Sequence, residues 1–382
     1  MRVAIFTDSF LPGVGGTEKA CLGLADALVR QGHEVVVCCP KYKGKYDDNY
    51  SFRVLRTKSI KLTDNDYLAL PYISGNFKKE LKKFNPEIVH CQSVSPMTAY
   101  AIKYAKKHNL PILMTVHTKF KMAFERSIKS KVIVNYLIKN LVKKLNRANG
   151  IYTVCYDMIN ELQSYGYKGK ITVIRNGAVF ERIPDVDALK PLAQEKYGLT
   201  EQDNILSFVG HIVKFKNLEF ICNALKIVKD KGYKFKMLFI GHGFDDEYFT
   251  KLAEKLGISD NVIFTGQITD KQLLSSLYSV SNLFLFPSFF DNDPLTIVEA
   301  ALHKVPALTL KGSGSSERIT DGVSGYIIEN NVEEYANKII HLIQNKDQAK
   351  IAGEQAELLI PKLWEQTACE YLNEYQLLLK GN

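Results

Sequence analysis

Two carboxylates stand eight residues apart where an apolar segment gives way to a predicted helix. Asp291 lies in an acidic loop after residues 283–286, and Glu299 falls in or near the second turn of that helix. Carboxylates placed in this way can accept hydrogen bonds from sugar hydroxyls. A helix cap explains an acidic residue in this loop equally well. Asp291-Asn292-Asp293 also has the DxD form of metal-dependent sugar-nucleotide sites.

A basic loop follows the apolar segment 205–209 and contains His211, Lys214 and Lys216. A cation at the end of a strand can stabilise a diphosphate leaving group, which gains negative charge as its bond breaks. The alternative is a solvated basic loop that binds nothing. The sequence therefore indicates a candidate anion site without establishing it.

A glycine-rich loop, residues 11–18, connects the first predicted strand to the first helix. Gly15 and Gly16 would let the backbone approach a ligand, and the start of the helix offers free N–H groups to a phosphate. The loop is neither GxGxxG nor a nucleotide-triphosphate loop. A simple tight turn is the alternative.

The elements that must position these residues are apolar strands alternating with amphipathic helices. This pattern predicts parallel sheets covered on both faces. The predicted helices include residues 17–31, 96–108, 157–165 and 363–380. The predicted strands are residues 3–6, 33–38, 87–90, 112–116 and 151–155, and then 205–209, 236–240, 262–264, 283–286, 307–310 and 325–328. We expect an α/β protein with two doubly wound domains whose sheets face a central cleft.

The length of 382 residues also favours two domains, because one domain typically has about 150. Residues 183–203 include two prolines and many charges, so we expect a linker there. The predicted divisions are a first domain at 1–182, a second at 204–360, and a C-terminal helix at 361–382.

Composition excludes several classes of protein. With 46% hydrophobic and 24% charged residues the chain is ordinary globular material. It has no apolar segment long enough to span a bilayer and no signal-peptide core, so we expect a cytoplasmic protein. The seven cysteines include no CxxC pair, which favours reduced thiols over a metal site.

Charge is distributed unevenly along the chain. Residues 1–182 hold 30 Lys and Arg against 14 Asp and Glu, whereas residues 183–382 hold 20 against 27. Residues 119–147 carry nine basic side chains, with Glu125 as the one acidic residue, interleaved with apolar ones. This pattern suits the surface of an anionic membrane, and the alternative is a buried apolar stripe with snorkelling lysines. No nucleic-acid-binding module accompanies the charge. The residues we expect to dock on a membrane are Lys119, Lys121, Lys139, Lys143 and Lys144.

Taken together, these segments resemble the retaining glycosyltransferases of family 4, which have the GT-B fold. The family marker is Glu-x7-Glu after a strand that ends in Pro-Ser; here Asp291 to Glu299 follows Pro287-Ser288, with Asp in the first place. Supporting motifs cover nearly the whole chain, and their order and spacing make the resemblance specific. They lie at residues 12–18, 86–90, 115–117, 174–177, 241–243, 262–266 and 312–317.

The resemblance implies a role for each matching residue. Gly15 and Gly16 would lie against the diphosphate, Lys216 would neutralise it, and Glu299 would bind the ribose hydroxyls. Asp291 would hold the transferred sugar, and His117 would lie beside sugar and acceptor. The implied catalytic residues are His117, Lys216 and Asp291. The implied donor-binding residues are Gly15, Gly16, Gly210, His211, Lys216, Gly266, Gln267, Ile268, Asp291, Asn292, Asp293, Leu295 and Glu299.

Two departures from the family pattern concern the donor. His211 stands where the family usually has an arginine, and residues 292–295 replace Gly-Phe-Gly-Leu. Pro294 has no N–H to donate. Asp at position 291 is also one methylene shorter than the usual Glu, which affects which sugar is held.

The resemblance implies a hexosyltransferase similar to the bacterial diacylglycerol glucosyltransferases and to enzymes that build lipid-linked glycans. It would transfer glucose from a UDP-sugar to diacylglycerol or a polyprenyl-linked glycan at the inner face of the cell membrane. The nucleotide sugar is a co-substrate, and neither a cofactor nor a metal is expected. The alternatives are a glycosyltransferase with a soluble or polysaccharide acceptor and a non-catalytic sugar-nucleotide-binding module. The oligomeric state is open.

Overall fold

The computed structural model describes residues 1–13, 15–44, 46–62, 67–178 and 183–381. The chain divides into two compact units: unit 1 comprises residues 1–179 and 362–382, and unit 2 comprises residues 180–361. Each unit is built around a parallel sheet with helices on both faces. Among the described residues, no helix is long and apolar enough to cross a bilayer.

Unit 1 contains a seven-stranded parallel sheet and a short antiparallel pair of strands within its described residues. Its strands are β1 (Arg2–Phe6), β2 (Glu34–Pro40), β3 (Arg53–Thr57), β4 (Ser59–Lys61), β5 (Tyr67–Ala69), β6 (Ile88–Cys91), β7 (Ile112–Val116), β8 (Gly150–Thr153) and β9 (Ile171–Val173). The sheet order is β3-β2-β1-β6-β7-β8-β9, and β4 pairs with β5.

The two faces of the unit 1 sheet bury different helices because successive strand residues point to opposite sides. The helices that precede unit 2 are α1 (Gly16–Arg30), α2 (Gly75–Phe84), α3 (Pro96–His108), α4 (Phe120–Ser127), α5 (Lys131–Leu145) and α6 (Asp157–Ser164). Ala4 and Phe6 share a core with α2, α3, α5 and α6. Val3 and Ile5 pack on the opposite face with α1 and the C-terminal segment.

Unit 2 repeats this plan with six parallel strands among its described residues. They are β10 (Ile205–Val209), β11 (Lys236–Ile240), β12 (Val262–Gly266), β13 (Leu283–Phe286), β14 (Ala307–Leu310) and β15 (Gly325–Ile328). Their order is β12-β11-β10-β13-β14-β15. The helices are α7 (Lys190–Tyr197), α8 (Leu218–Asp230), α9 (Asp246–Lys255), α10 (Lys271–Ser279), α11 (Leu295–Leu302), α12 (Val332–Gln344) and α13 (Lys346–Leu359).

The predicted linker at residues 183–203 is wrong over much of its length. It contains a 3₁₀ turn, Asp187–Leu189, and helix α7. Ala193 of α7 is fully buried, and its N–H donates to Ser276 Oγ of α10 at 2.8 Å. The prolines and charges suggested a linker, but α7 packs on unit 2 through a short apolar face. The predicted domain boundary after residue 182 falls on residues 179–182, which lie outside the described residues.

The last helix, α14 (Trp364–Lys380), belongs to unit 1 and packs against α1. Its Trp364 side chain is 6% exposed and fills the space beside Gly23 and Gly177. A Cβ on Gly177 would lie 2.6 Å from the Trp364 backbone, and one on Gly23 would overlap the indole ring. Thr367 Oγ1 also donates to the Arg175 carbonyl at 3.0 Å. Glycine at positions 23 and 177 is therefore what allows α14 to dock.

We predict that Gly23→Ala destabilises unit 1 by about 1–3 kcal/mol, because the added methyl overpacks the indole. Trp364 is the one tryptophan of the chain, so its fluorescence during urea unfolding follows α14 directly. The control is Gly75→Ala at the start of α2, where an added Cβ meets open space. That variant should be as stable as the parent or slightly more so. An unchanged unfolding midpoint for Gly23→Ala would contradict the packing described.

Candidate active site

The residues singled out in the second half of the sequence meet at the carboxyl edge of the unit 2 sheet. Strands β10 and β13 are neighbours there, although residues 210–282 lie between them in sequence. The loop after β10 carries His211 and Lys216, and the loop after β13 carries Asp291. The strand order reverses direction between these two strands, which is where ligands bind in open α/β sheets.

Lys216 and Asp291 form an ion pair at this edge. Lys216 Nζ donates to Asp291 Oδ1, and the two side chains are 12% and 18% exposed. The other carboxylate oxygen of Asp291 accepts a 2.6 Å hydrogen bond from Ser288 Oγ. The loops are also joined by Asn217, whose Nδ2 donates to the Pro287 carbonyl at 3.2 Å. The structure thus brings together the cation and the carboxylate that the sequence placed in separate motifs.

Asp293 is engaged in a different way. Both of its carboxylate oxygens accept from the guanidinium of Arg318, at 2.5 and 2.7 Å, and the two side chains are 1% and 5% exposed. The prediction that Asp293 contacts the donor is therefore wrong for its side chain, because that carboxylate is buried in an ion pair. Both acids of the DxD-like sequence are paired with cations.

A 3₁₀ turn, Gly314–Arg318, packs against the loop that follows β13. A Cβ on Gly314 would lie 2.6 Å from the Asn292 carbonyl oxygen, so glycine allows this close approach. Ser315 Oγ donates to the carbonyls of Ser288 and Asp291, at 3.3 and 3.4 Å. Asn292 itself is buried. We call this element the 314–318 turn.

Glu299 lies on α11 with only 1% of its surface exposed. Its Oε2 accepts a 2.8 Å hydrogen bond from the Tyr278 hydroxyl. Burial and the neighbouring carboxylate raise the pKa of Tyr278 well above its usual range, so it remains a donor. His303 Nδ1 lies 2.7 Å from the Glu299 carbonyl, and Leu295 is buried at the start of α11. The sequence did not indicate Tyr278, because this residue belongs to none of the motifs described above.

Glycines shape the loops that follow β10, β11 and β12. The Gly210 N–H donates to the Ile240 carbonyl at 3.0 Å, and the Gly241 N–H donates to the Gly266 carbonyl at 3.1 Å. Gly241 and Gly266 have φ values of +141° and +69°, which favour glycine. His211, Gln267 and Ile268 follow in these loops, with His211 and Gln267 exposed and Ile268 half-buried.

In unit 1, Gly15 and Gly16 stand where α1 begins. Gly15 is the N-cap residue, with extended backbone at φ −160°, and its carbonyl accepts from the Lys19 N–H at 3.2 Å. A Cβ on Gly16 would meet open space, whereas one on Gly15 would overlap the Glu18 carboxylate. The first-turn N–H groups of α1 therefore suit an anion.

His117 follows β7 and is hydrogen bonded toward the core of unit 1. Its Nε2 lies 2.7 Å from Gln92 Oε1, and Gln92 Nε2 lies 3.2 Å from His90 Nε2. Burial, and then the proximity of His117, lower the pKa of His90 to about 3, so His90 is neutral. Its Nδ1 contacts the Tyr375 hydroxyl of α14 at 2.6 Å. Gln92 was not singled out in the sequence because its role depends on strands distant along the chain.

Asp8 is a second residue of unit 1 that sequence reasoning missed. It follows β1, and its carboxylate accepts from Ser93 Oγ at 2.7 Å and from the Met97 N–H of α3 at 3.3 Å. Burial raises the pKa of Asp8 to about 6, although Ser93, Met97 and Lys144 each oppose the rise. The group caps α3 and lies near the carboxyl edge of the sheet.

Two of the five lysines expected at a membrane face inward. Lys119 Nζ lies 2.6 Å from Asp157 Oδ2 with its side chain 8% exposed. Lys144 Nζ donates to the Ser95 carbonyl at 3.2 Å, near Asp8. The prediction that Lys119 and Lys144 dock on a membrane is therefore wrong. Their long stems cross the surface to reach half-buried acceptors.

The remaining lysines lie on an exposed surface of α4 and α5. Lys121, Lys139 and Lys143 are exposed. Apolar residues are exposed with them on α5: Val132 by 79%, Tyr136 by 64% and Ile133 by 50%. We call these six residues, with Met122, the α4–α5 surface.

A cavity of about 480 Å³ lies at the opposite, amino edge of the unit 2 sheet. Its lining includes Asn204, Asn282 and Pro306, which precede three of the strands. It includes none of Lys216, Asp291 and Glu299, although His303, which contacts the Glu299 carbonyl, is part of its lining.

Comparison with known proteins identifies the class. Residues 14–182 match Glycosyltransferase Family 4, and residues 190–358 match Glycosyl transferases group 1. A solved structure of Anabaena HepE in complex with UDP superimposes with a TM-score of 0.77, at 15% identity, over 99% of this chain and 100% of that one. The chain therefore belongs to the group 1 and family 4 glycosyltransferases and has their GT-B fold.

Two relatives that are similar along most of this chain are both named alpha-monoglucosyldiacylglycerol synthase. The protein from Streptococcus pneumoniae is 26% identical over 85% of this chain and 74% of its own length. The protein from Acholeplasma laidlawii is 24% identical over 94% of this chain and 92% of its own. The predicted family, fold and enzyme class are confirmed.

We predict that Asp8→Asn stabilises unit 1 at pH 7 by roughly 2–3 kcal/mol and has little effect at pH 4. The folded protein holds the Asp8 proton up to about pH 6, whereas the unfolded chain loses it near pH 3.8. The unfolding free energy of the parent therefore falls as pH rises through this window, and the variant lacks that loss. Urea unfolding followed by Trp364 fluorescence at both pH values measures the difference. If the difference in unfolding free energy between the variant and the parent is the same at both pH values, the prediction is contradicted.

Proposed function

We propose that this chain is a retaining hexosyltransferase that transfers glucose from UDP-glucose to a membrane lipid, either diacylglycerol or a polyprenyl-linked glycan. The observation that carries the proposal is the Lys216–Asp291 pair at the switch point of the unit 2 sheet. A cation can bind the diphosphate of a nucleotide sugar, and a carboxylate beside it can accept hydrogen bonds from the sugar hydroxyls. The names of the two synthases above support glucose and a glycolipid product.

The pair gives donor binding a physical basis. In the structure each charge satisfies the other, so neither is buried alone. We propose that UDP-glucose separates them: Lys216 turns to the diphosphate while Asp291 accepts hydrogen bonds from glucose hydroxyls. Glu299, already positioned by Tyr278, would accept from the ribose hydroxyls. Lys216 then stabilises the charge that develops on UDP as the bond to the sugar breaks.

The reaction is proposed to keep the anomeric configuration. The bond between C1 and the diphosphate oxygen breaks, the acceptor hydroxyl oxygen bonds to C1 from the same side, and its proton passes to the departing phosphate. His117 is proposed to lie beside the reacting sugar. The proposal includes no metal, since Asp291 and Asp293 are paired with Lys216 and Arg318. Activity abolished by EDTA and restored by manganese would contradict this part.

The α4–α5 surface supports a membrane acceptor. Exposed cations and exposed aliphatic or aromatic side chains on neighbouring helices suit anionic headgroups and the adjoining acyl chains. We propose that unit 1 docks through this surface on the inner face of the cell membrane, where it meets its lipid acceptor. A soluble acceptor would leave the exposed Val132, Ile133 and Tyr136 without a function.

We predict that Asp291→Asn and Glu299→Gln each lower glucose transfer at least ~100-fold, because sugar and ribose hydroxyls lose buried charged partners. The assay is transfer from UDP-glucose to vesicles containing diacylglycerol, with the lipid product detected by mass. The control is Asp230→Asn, which alters an exposed carboxylate of the same unit. Near-normal turnover in both site variants would refute the site, and no transfer or donor hydrolysis by the parent would favour a binding module.

We predict that Lys139→Gln/Lys143→Gln weakens binding to anionic vesicles by about 2 kcal/mol, near 1 kcal/mol per charge. Binding should also fade at high salt as screening increases, while hydrolysis of UDP-glucose in solution is unchanged. The matched control removes two exposed charges from unit 2, as Lys226→Gln/Lys251→Gln. Vesicle flotation measures the affinity. If the parent protein does not bind anionic vesicles at low salt, the result would favour a soluble acceptor.

A further inference from the structure

Arg318 lies at the end of the 314–318 turn and connects three segments of unit 2. Its guanidinium donates to both carboxylate oxygens of Asp293 in a bidentate pair, and its Nη1 donates to the Ile360 carbonyl at 3.1 Å. Asp293 stands two residues after Asp291 in the same loop. The cation is therefore bonded both to the loop that carries Asp291 and to the segment that follows α13.

Among the ion pairs of the residues that the structure describes, this one is the most deeply buried. The Asp293 and Arg318 side chains are 1% and 5% exposed, whereas the Arg53–Glu80 pair on unit 1 is 49% and 26% exposed. Exposed pairs contribute little because water competes with them. A buried bidentate pair fixes the relative position of its two segments, since a shift of either would leave a charge without its partner.

The backbone around Asp291 is held by contacts that are separate from those of its side chain. Arg318 fixes the loop at Asp293, and Gly314 and Ser315 contact the backbone at Asn292, Ser288 and Asp291. The Asp291 carboxylate is bonded to two other side-chain groups, the Lys216 ammonium and the Ser288 hydroxyl. Exchange of partners at Asp291 therefore needs no movement of its backbone.

We propose that Arg318 is a positioning residue for glucose transfer, acting through Asp293 to set the position of the Asp291 carboxylate. The inference rests on the proposed function of Asp291. Arg318 itself touches neither donor nor acceptor. Replacing Arg318 should lower turnover, because Asp291 is the group proposed to hold the transferred glucose. Binding of UDP, which lacks the transferred glucose, should not depend on Arg318.

The test compares turnover with UDP binding in Arg318→Met and Arg318→Lys. We expect Arg318→Lys, which keeps the charge but loses the bidentate geometry, to fold normally with kcat about 10-fold lower. We expect Arg318→Met to lower kcat about 100-fold. In both, the calorimetric Kd for UDP should stay within about 3-fold of the parent. The control is Arg53→Met, which removes the exposed pair and should leave kcat unchanged.

A double variant separates positioning from loss of folding. Asp293→Leu/Arg318→Met replaces the pair with apolar groups, which buried sites often tolerate. We expect it to recover the parent unfolding midpoint and most of the kcat lost in Arg318→Met. The inference is overturned if folded Arg318→Lys and Arg318→Met keep parental kcat, or if their UDP affinity falls in parallel with kcat. A parent that transfers no glucose would instead refute the proposed function.

Discussion

The constraint on which this protein depends is the burial of two parallel sheets on both faces. Strands such as β10 and β13 are buried along their whole length and almost entirely apolar, because helices cover them above and below. Polar side chains that do chemistry therefore lie beyond the strand ends, in the loops or, like Glu299, on the helices that follow. The parallel direction brings the loops after neighbouring strands to one edge, which is how Lys216 meets Asp291 across 75 residues of sequence.

The same burial explains which parts of the fold were predictable. Five strands of unit 2, among them β10 and β14, were predicted with their observed bounds because both faces are apolar. Strands β3 and β9 at the edges of the unit 1 sheet were missed. β3 contains Arg53 and Arg56, and an edge strand with half-exposed residues has no continuous apolar pattern. Helix α7 was taken for part of a linker because its buried face is narrow.

The candidate site was predictable as separate residues but not as an arrangement. Motif spacing indicated Lys216, Asp291 and Glu299. It could not indicate Tyr278, Gln92, Asp8 or Arg318, whose importance comes from contacts with segments distant in sequence. The charge pattern predicted too many membrane-docking lysines for a related reason. Residue spacing in the sequence does not reveal that Lys119 and Lys144 reach inward to acceptors.

The return of α14 to unit 1 has a consequence for biosynthesis. Trp364, Tyr371 and Tyr375 of α14 share a core with residues of β1, so this core cannot close until α14 has left the ribosome. Unit 2 is contiguous and can fold while synthesis continues. The nascent unit 1 would meanwhile expose the apolar face that α14 later covers, which makes it a candidate substrate for chaperones until α14 has been synthesised.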